Sequence, residues 1–195
     1  HFGRTHALSS GGRFLLRIED IDPGRCRPEF ETAIIEDLRW LGFDWEEPVR
    51  RQSEHMDEYR LALNKLQEMG LLYHCFCSRA EIQAEVARSG YAPHGPEGQI
   101  YPGTCKRLSE TERAEKLAGG KPFALRLDVE GALKRVGTTH WYDRDAGLVR
   151  TAPETLGDVV LARKEMPASY HLASVLDDSL QGVTLVTRGV DLFHA

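Results

Sequence analysis

The chain has 195 residues, 41% of them hydrophobic and 28% charged, with a formal net charge of −5. Such a chain is globular, one domain or one domain with a smaller insert, and long enough to bury a core without disulfide staples. Its charge excludes a protein that coats nucleic acid nonspecifically, while leaving room for a local basic face.

No apolar segment approaches the ~20 residues of a membrane span, and His1-Phe2-Gly3-Arg4 does not begin a signal peptide. Of the four cysteines, Cys75 and Cys77 stand one residue apart, which fits a reduced cytoplasmic protein better than a disulfide framework.

Residues 4–12 are too few and too broken for a full helix. The run 14–18 is apolar enough for a strand buried on both faces. It ends in Glu19, Asp20 and Asp22, and Pro23-Gly24 stops it. Carboxylates at the carboxyl end of a buried strand lie where open α/β sheets bind ligands; the alternative is a strand leaving the core through an acidic turn. Pro28 suits a first helical turn, and Phe30, Ala33, Ile34, Leu38 and Leu41 then follow helical spacing up to Gly42. Ser53 is a candidate N-cap for a second helix through Met56, Tyr59, Leu63 and Leu66, closed by Gly70. Both helices are expected to face a core.

A short strand is expected over 71–77, and Ser78 with Glu81 forms a capping box for a helix to Arg88. The Gly/Pro-rich stretch 90–104 reads as a loop, and Ser109 with Glu112 caps another helix up to Gly119-Gly120. Strands are expected over 123–129 and 158–162, a helix over 170–180 ended by Gly182, and a strand over 183–186 leading into Arg188. Strands alternating with helices give an α/β class.

Two constellations carry chemistry. Cys75-Phe76-Cys77 followed by Cys105 in a Gly/Pro loop suits zinc, because thiolates converge readily on a tetrahedral dication. His74, His94 and Tyr101 are candidates for a fourth ligand; imidazole is the generic choice and a phenolate the rarer one. The alternative is three buried, reduced cysteines. Cys26 lies far off and reads as a small buried hydrophobe. Toward the C-terminus, Asp177-Asp178 falls on an otherwise apolar helix, and Arg188 ends a segment as Glu19 does. If both line one crevice, Glu19 could hold an ammonium and Arg188 a carboxylate in bidentate fashion; the alternative is a structural Glu19–Arg188 ion pair.

Taken together, Arg17-Ile-Glu-Asp-Ile-Asp22, Cys75-Phe-Cys77, Tyr101-x-x-x-Cys105, Tyr170…Asp177-Asp178, Gln181-Gly-Val-Thr and Arg188-Gly resemble the class I glutamyl-tRNA synthetase catalytic domain. Ile21 and the stretch from Ser78 to Cys105 are similar more narrowly to its short paralogues, the glutamyl-Q tRNA(Asp) synthetases. The resemblance spans nearly the whole chain. It implies a Rossmann-like catalytic domain over 1–70 and 120–195, incomplete at both ends, and a small zinc-binding insert over 71–119. It implies glutamate contacts at Glu19, Tyr170 and Arg188, and ATP contacts at His1 and Gly3 in a HIGH-type signature. It also implies structural zinc on Cys75, Cys77, Tyr101 and Cys105. Substrates and partners are then L-glutamate, ATP with Mg²⁺, and tRNA(Asp) carrying queuosine, on a monomeric, cytoplasmic enzyme with no covalent catalytic residue. Three features depart from the family pattern. Arg4 and Ser174 stand where other residues are usual, the helix after the HIGH-type signature is short, and neither the Arg/Ser segment before it nor a KMSKS-type lysine loop is present. The chain as given is therefore expected to be inactive alone.

Overall fold

The structure, a computed structural model, describes residues 1–89, 94–95, 98–164, 166–190 and 193. The chain divides into two compact units, His1–Arg60 with Met166–Phe193, and Leu61–Glu165.

The first unit opens with α1 (Phe2–Ser9), so an eight-residue helix does form in the stretch expected to be too broken for one. It buries no side chain. β1 (Leu15–Ile18) is half-buried along its length rather than buried on both faces. A crossover helix, α2 (Pro28–Trp40), follows with Pro28 in its first turn, where the missing N–H is no loss. The chain returns as β2 (Glu46–Arg51), parallel to β1. Its Glu-Glu-Pro start hides this strand from any hydrophobic pattern. Only part of the expected face of α2 is covered: Phe30 and Ile34 are 51% and 48% exposed, while Leu38 is half-buried together with Glu31 and Ile35. After a 3₁₀ turn at Gln52–His55 comes α3 (Met56–Glu68), whose Tyr59 and Leu63 are buried as the spacing predicts.

The second unit contains β3 (Leu72–Cys75) and then α4 (Arg79–Ser89). Ser78 and Glu81 make the expected reciprocal cap, the Ser78 N–H donating to the Glu81 carboxylate at 2.6 Å and the Glu81 N–H to Ser78 Oγ at 3.2 Å. Within the stretch read as a loop, β4 (His94–Gly95) and β5 (Gly98–Gln99) form a two-residue antiparallel ladder. A second capping box, Ser109 with Glu112, starts α5 (Glu110–Ala118). β6 (Ala124–Leu127) is followed by α6 (Val129–Val136), capped by Asp128, whose carboxylate accepts the Gly131 N–H at 2.8 Å. A hairpin of β7 (His140–Asp143) and β8 (Gly147–Arg150) and a final strand, β9 (Val160–Arg163), complete the unit. β3, β6 and β9 make one antiparallel sheet in that order. β6 and β9, from beyond residue 120, therefore share a sheet with β3 of the stretch expected to be an insert, 71–119, and the compact unit is larger than that insert.

The chain re-enters the first unit through α7 (Tyr170–Leu180), ended as expected by Gly182 at φ 64°. Beyond it, residues 183–189 are not the strand expected over 183–186: the segment forms no ladder. The chain is α/β, but among the described residues its parallel pairing is confined to β1 and β2 and its larger sheet is antiparallel. No described helix is long and apolar enough to cross a membrane.

The interior of the first unit is polar at its centre. Asp177 on α7 is 0% exposed. It accepts hydrogen bonds from Arg50 Nε at 2.8 Å, Gln52 Nε2 at 2.8 Å and the Tyr59 hydroxyl at 2.9 and 3.0 Å. Arg17 Nε adds a 3.8 Å ion pair. A buried carboxylate is tolerated only when its charge and lone pairs are met in this way. Asp177→Ala removes the buried carboxylate shared by two mostly buried guanidiniums and leaves Gln52 and Tyr59 without their acceptor. It is expected to lower stability in urea titration by about 3–5 kcal/mol. Tyr59→Phe, which removes one of several donors, is expected to cost about 1–3 kcal/mol.

Candidate active site and metal centre

Glu19 follows β1 directly and keeps its carboxylate accessible, with 39% of the side chain exposed. Its partner is Arg17 Nη2 at 3.1 Å, so the Glu19–Arg188 ion pair considered from the sequence is not formed. The same guanidinium donates through Nη1 to Asp178 at 2.7 Å and to Gln181 at 3.2 Å. Burial opposes the charge on Arg17, but the hydrogen bonds to Asp178 and Glu19 outweigh it and raise its pKa further.

Tyr170 begins α7, and Ser169 precedes it as N-cap without a capping hydrogen bond. The Tyr170 hydroxyl and Ser169 Oγ are both buried without a hydrogen-bond partner. The Arg188 guanidinium lies 5.1 Å from the Tyr170 ring centroid. Arg188 reaches it from the unladdered 183–189 segment and not from a strand end. Ser174, one turn into the helix, spends its hydroxyl on the Tyr170 carbonyl at 2.7 Å.

Gly3, in α1, packs against the residue before Arg188. A Cβ at Gly3 would stand 3.5 Å from Thr187 Oγ1 and 3.8 Å from Phe14. His1 turns its ring edge to Phe43, with centroids 6.0 Å apart. The remaining acids of the first loop have structural work. Asp20 accepts the Ser53 N–H at 2.9 Å together with the Ser53 hydroxyl, so Ser53 anchors the 3₁₀ turn and does not cap α3. Asp22 accepts the Gly24 N–H at 3.0 Å and shapes the turn at Pro23-Gly24.

The supporting residues Arg17, Arg50, Gln52, Tyr59 and Asp177 were not assigned roles from the sequence. Two signals pointed to them: an arginine inside an apolar strand and an aspartate inside an apolar helix, each of which must find a charged partner if buried.

In the second unit, Cys75, Cys77 and Cys105 bring their Sγ atoms within 4.8 Å of one another. Cys77 and Cys105 approach to 3.4 Å, and the Tyr101 hydroxyl lies 3.7 Å from Cys77 Sγ. That hydroxyl accepts the Cys105 N–H at 2.8 Å, and Cys105 Sγ accepts the Phe76 N–H at 3.3 Å. Tyr73, Cys75, Phe76, Tyr101 and Cys105 form one buried cluster. Burial pushes the Cys77 thiol up to about 12. Burial also opposes ionisation of Cys105, but hydrogen bonds from Tyr101 and the Phe76 N–H outweigh it and lower that thiol. His74 is turned elsewhere, its ring edge-on to Phe123 at 4.5 Å, and burial lowers its pKa. The side chain of His94 lies outside the described residues. Cys26 is in the other unit, with Sγ 3.9 Å from the Glu19 carbonyl. Three thiols in this spacing, with a phenol oxygen beside them, are a sulfur-rich donor set that fits a thiophilic dication.

Residues 2–194 match the family described as tRNA synthetases class I (E and Q), catalytic domain. Over 97% of the chain it is 48% identical to the glutamyl-Q tRNA(Asp) synthetase of Rhodobacter capsulatus and 45% identical to that of Symbiobacterium thermophilum. It spans 69% of the first relative and 59% of the second. Among solved structures, it resembles a glutamate tRNA ligase from Elizabethkingia meningosepticum in complex with its amino acid, with a TM-score of 0.67 and 27% identity. That likeness covers 89% of this chain and 36% of that one. The chain belongs to the class I tRNA synthetases (E and Q), within their catalytic domain.

Proposed function

We propose that the protein carrying this chain activates L-glutamate with ATP and transfers it to the queuosine base of tRNA(Asp). The observation that carries this reading is the cluster at Tyr170. The Tyr170 hydroxyl is buried and unpartnered, Arg188 lies over the Tyr170 ring, and Gly3 of the HIGH-type signature packs on the neighbouring Thr187. The residues proposed for amino-acid and nucleotide contact all belong to one compact unit, which supports a shared site. The glutamyl-Q names of the two curated relatives, and Ile21 in the acidic motif, favour the queuosine acceptor.

In the proposed reaction a glutamate carboxylate oxygen attacks the α-phosphorus of ATP. The bond to the β-phosphate oxygen breaks, pyrophosphate leaves, and a nucleophile of the modified base then displaces AMP from glutamyl-AMP. Arg188 holds a substrate carboxylate, Glu19 the ammonium, and the Tyr170 hydroxyl a polar group of the same ligand. His1 and Gly3 abut the nucleotide. Catalysis rests on positioning and charge stabilisation, with no covalent enzyme intermediate. Mg²⁺, when bound with ATP, offsets phosphate charge. Cys75, Cys77, Tyr101 and Cys105 would hold zinc in a structural role, because Cys75, Tyr101 and Cys105 belong to the buried core of the 71–119 segment and Cys77 packs against it.

A second reading, an ordinary glutamate–tRNA ligase, is favoured by the likeness to the Elizabethkingia structure. The acceptor separates the two: the queuosine reading expects glutamate on tRNA(Asp) bearing queuosine and none on tRNA(Glu). A third reading keeps the zinc-stabilised fold as a binding module without catalysis. In the full-length protein, glutamate-dependent ATP–pyrophosphate exchange is expected without any tRNA, and its absence would leave only that third reading. Glu19→Ala and Arg188→Ala are each expected to cut this exchange about a hundredfold or more while circular dichroism stays unchanged. Wild-type exchange in either variant removes that residue from the site.

Metal analysis is expected to find about one zinc per chain, lost in Cys105→Ser, with chelation lowering the melting temperature. A folded protein without zinc would reduce the three cysteines to packing.

A further inference from the structure

Asp178 belongs to none of the proposed substrate contacts, yet it holds the shortest hydrogen bond to the guanidinium that backs one of them. Arg17 Nη1 donates to Asp178 Oδ1 at 2.7 Å, and Arg17 Nη2 donates to Glu19 Oε1 at 3.1 Å. Among the described residues, Arg17 is the only cation within 4 Å of the Glu19 carboxylate. The Arg17 side chain is 14% exposed and that of Asp178 is 27% exposed, so water screens this pair less than it screens Glu19 at 39%.

This geometry poses a charge problem for a carboxylate meant to attract an ammonium. A guanidinium beside Glu19 cancels its field unless the guanidinium is itself neutralised. Asp177, the other carboxylate near Arg17, is 3.8 Å from Arg17 Nε and already serves Arg50 at 2.8 Å. Asp178 is the acid left to balance Arg17.

We infer that Asp178 is a positioning residue that keeps Glu19 available to the substrate ammonium by taking up the charge of Arg17. With Asp178 in place, Arg17 orients Glu19 through one N–H and spends its charge on α7. With Asp178 neutral, Arg17 closes onto Glu19, and the ammonium meets a carboxylate already paired. The effect falls on binding of the amino group and leaves the carboxylate end at Arg188 untouched. This inference rests on the glutamate reading of the site.

The test uses the full-length protein and Asp178→Asn, which keeps shape and hydrogen-bonding capacity but removes charge. Glutamate affinity, from calorimetry and from KM in pyrophosphate exchange, is expected to fall about ten- to a hundredfold, the range set by a hydrogen bond to a charged group, with kcat near wild type. Competitive inhibition by glutarate, which carries both carboxylates but no ammonium, is expected to stay within about threefold. Adding Arg17→Gln to Asp178→Asn is expected to recover most of the lost glutamate affinity, since the unbalanced guanidinium is then gone. Equal weakening of glutamate and glutarate, a fall in kcat alone, or no change in KM each overturns the proposal. A wild-type protein that binds no glutamate overturns the glutamate reading instead, before any variant is compared.

Discussion

Arg17 and Arg50 stand opposite each other in the register of the parallel pair β1–β2. Two guanidiniums in neighbouring, mostly buried positions repel, and the strand pair needs an anion between them. Asp177 supplies it from α7, a helix more than a hundred residues away in sequence. The need is mutual: a fully buried carboxylate on an otherwise apolar helix is tolerable only against those cations. This one arrangement ties both strands, the Gln52 turn, Tyr59 of α3 and α7 into a unit, and it fixes where each end of the proposed site stands. Glu58, at 2.5 Å from Arg50 Nη2, and Asp178 complete the balance, so neither guanidinium is left with a single anion.

The second unit solves a related problem with sulfur. Its core residues Tyr73, Cys75, Phe76, Tyr101 and Cys105 are at once the packing and most of the proposed donor set. Neutral thiols pack as small hydrophobes, whereas thiolates in the same place need a cation. The surroundings are braced accordingly. Arg126 lies 3.9 Å from the Tyr101 ring centroid, and Lys106, next to Cys105, pairs with Asp128 at 2.6 Å. Asp158 takes the Tyr73 hydroxyl at 2.7 Å and the Val129 N–H at 2.9 Å, linking this shell to β3 and to the start of α6. Gly157, at φ 68°, passes so close to Ile100 that a Cβ there would stand 2.5 Å from its side chain. The loop leading to Tyr101 is thus held by the close approach of the Gly157 backbone.

Local chemistry was legible where it is decided locally. Both Ser–Glu capping boxes, the Pro28 helix start and the Gly182 stop were visible in the sequence because each depends on residues within one turn. The three cysteines could be grouped by spacing alone, since a Cys-x-Cys pair and a later loop cysteine have few other reasons to converge. β2 was invisible because its residues are charged and its stability comes from pairing and from Asp177, neither of which leaves a period in the sequence. The inward face of α2 was misread because helical spacing shows that apolar residues share a face, not that a partner covers it. The 183–189 segment looked like a strand because Val-Thr-Leu-Val suits one. A strand also needs a neighbour to pair with, and this segment has none among the described residues.

The site residues follow a gradient that explains why the sequence showed the outer ones more readily than the inner ones. Glu19 and Arg188 are accessible, Arg17 and Asp178 are partly covered, and Asp177 is sealed. Charges that meet a ligand must be reachable, and a reachable charge is held poorly unless something less mobile fixes it. Here each outer group leans on an inner one: Glu19 on Arg17, Arg17 on α7 through Asp178 and Gln181, and Arg188 on the face of Tyr170. The sealed end of this series carries the buried ion-pair network, and the open end carries the groups proposed for recognition. The middle members, half-covered and each holding an outer group, are where a substitution is expected to change the proposed affinity without unfolding the chain.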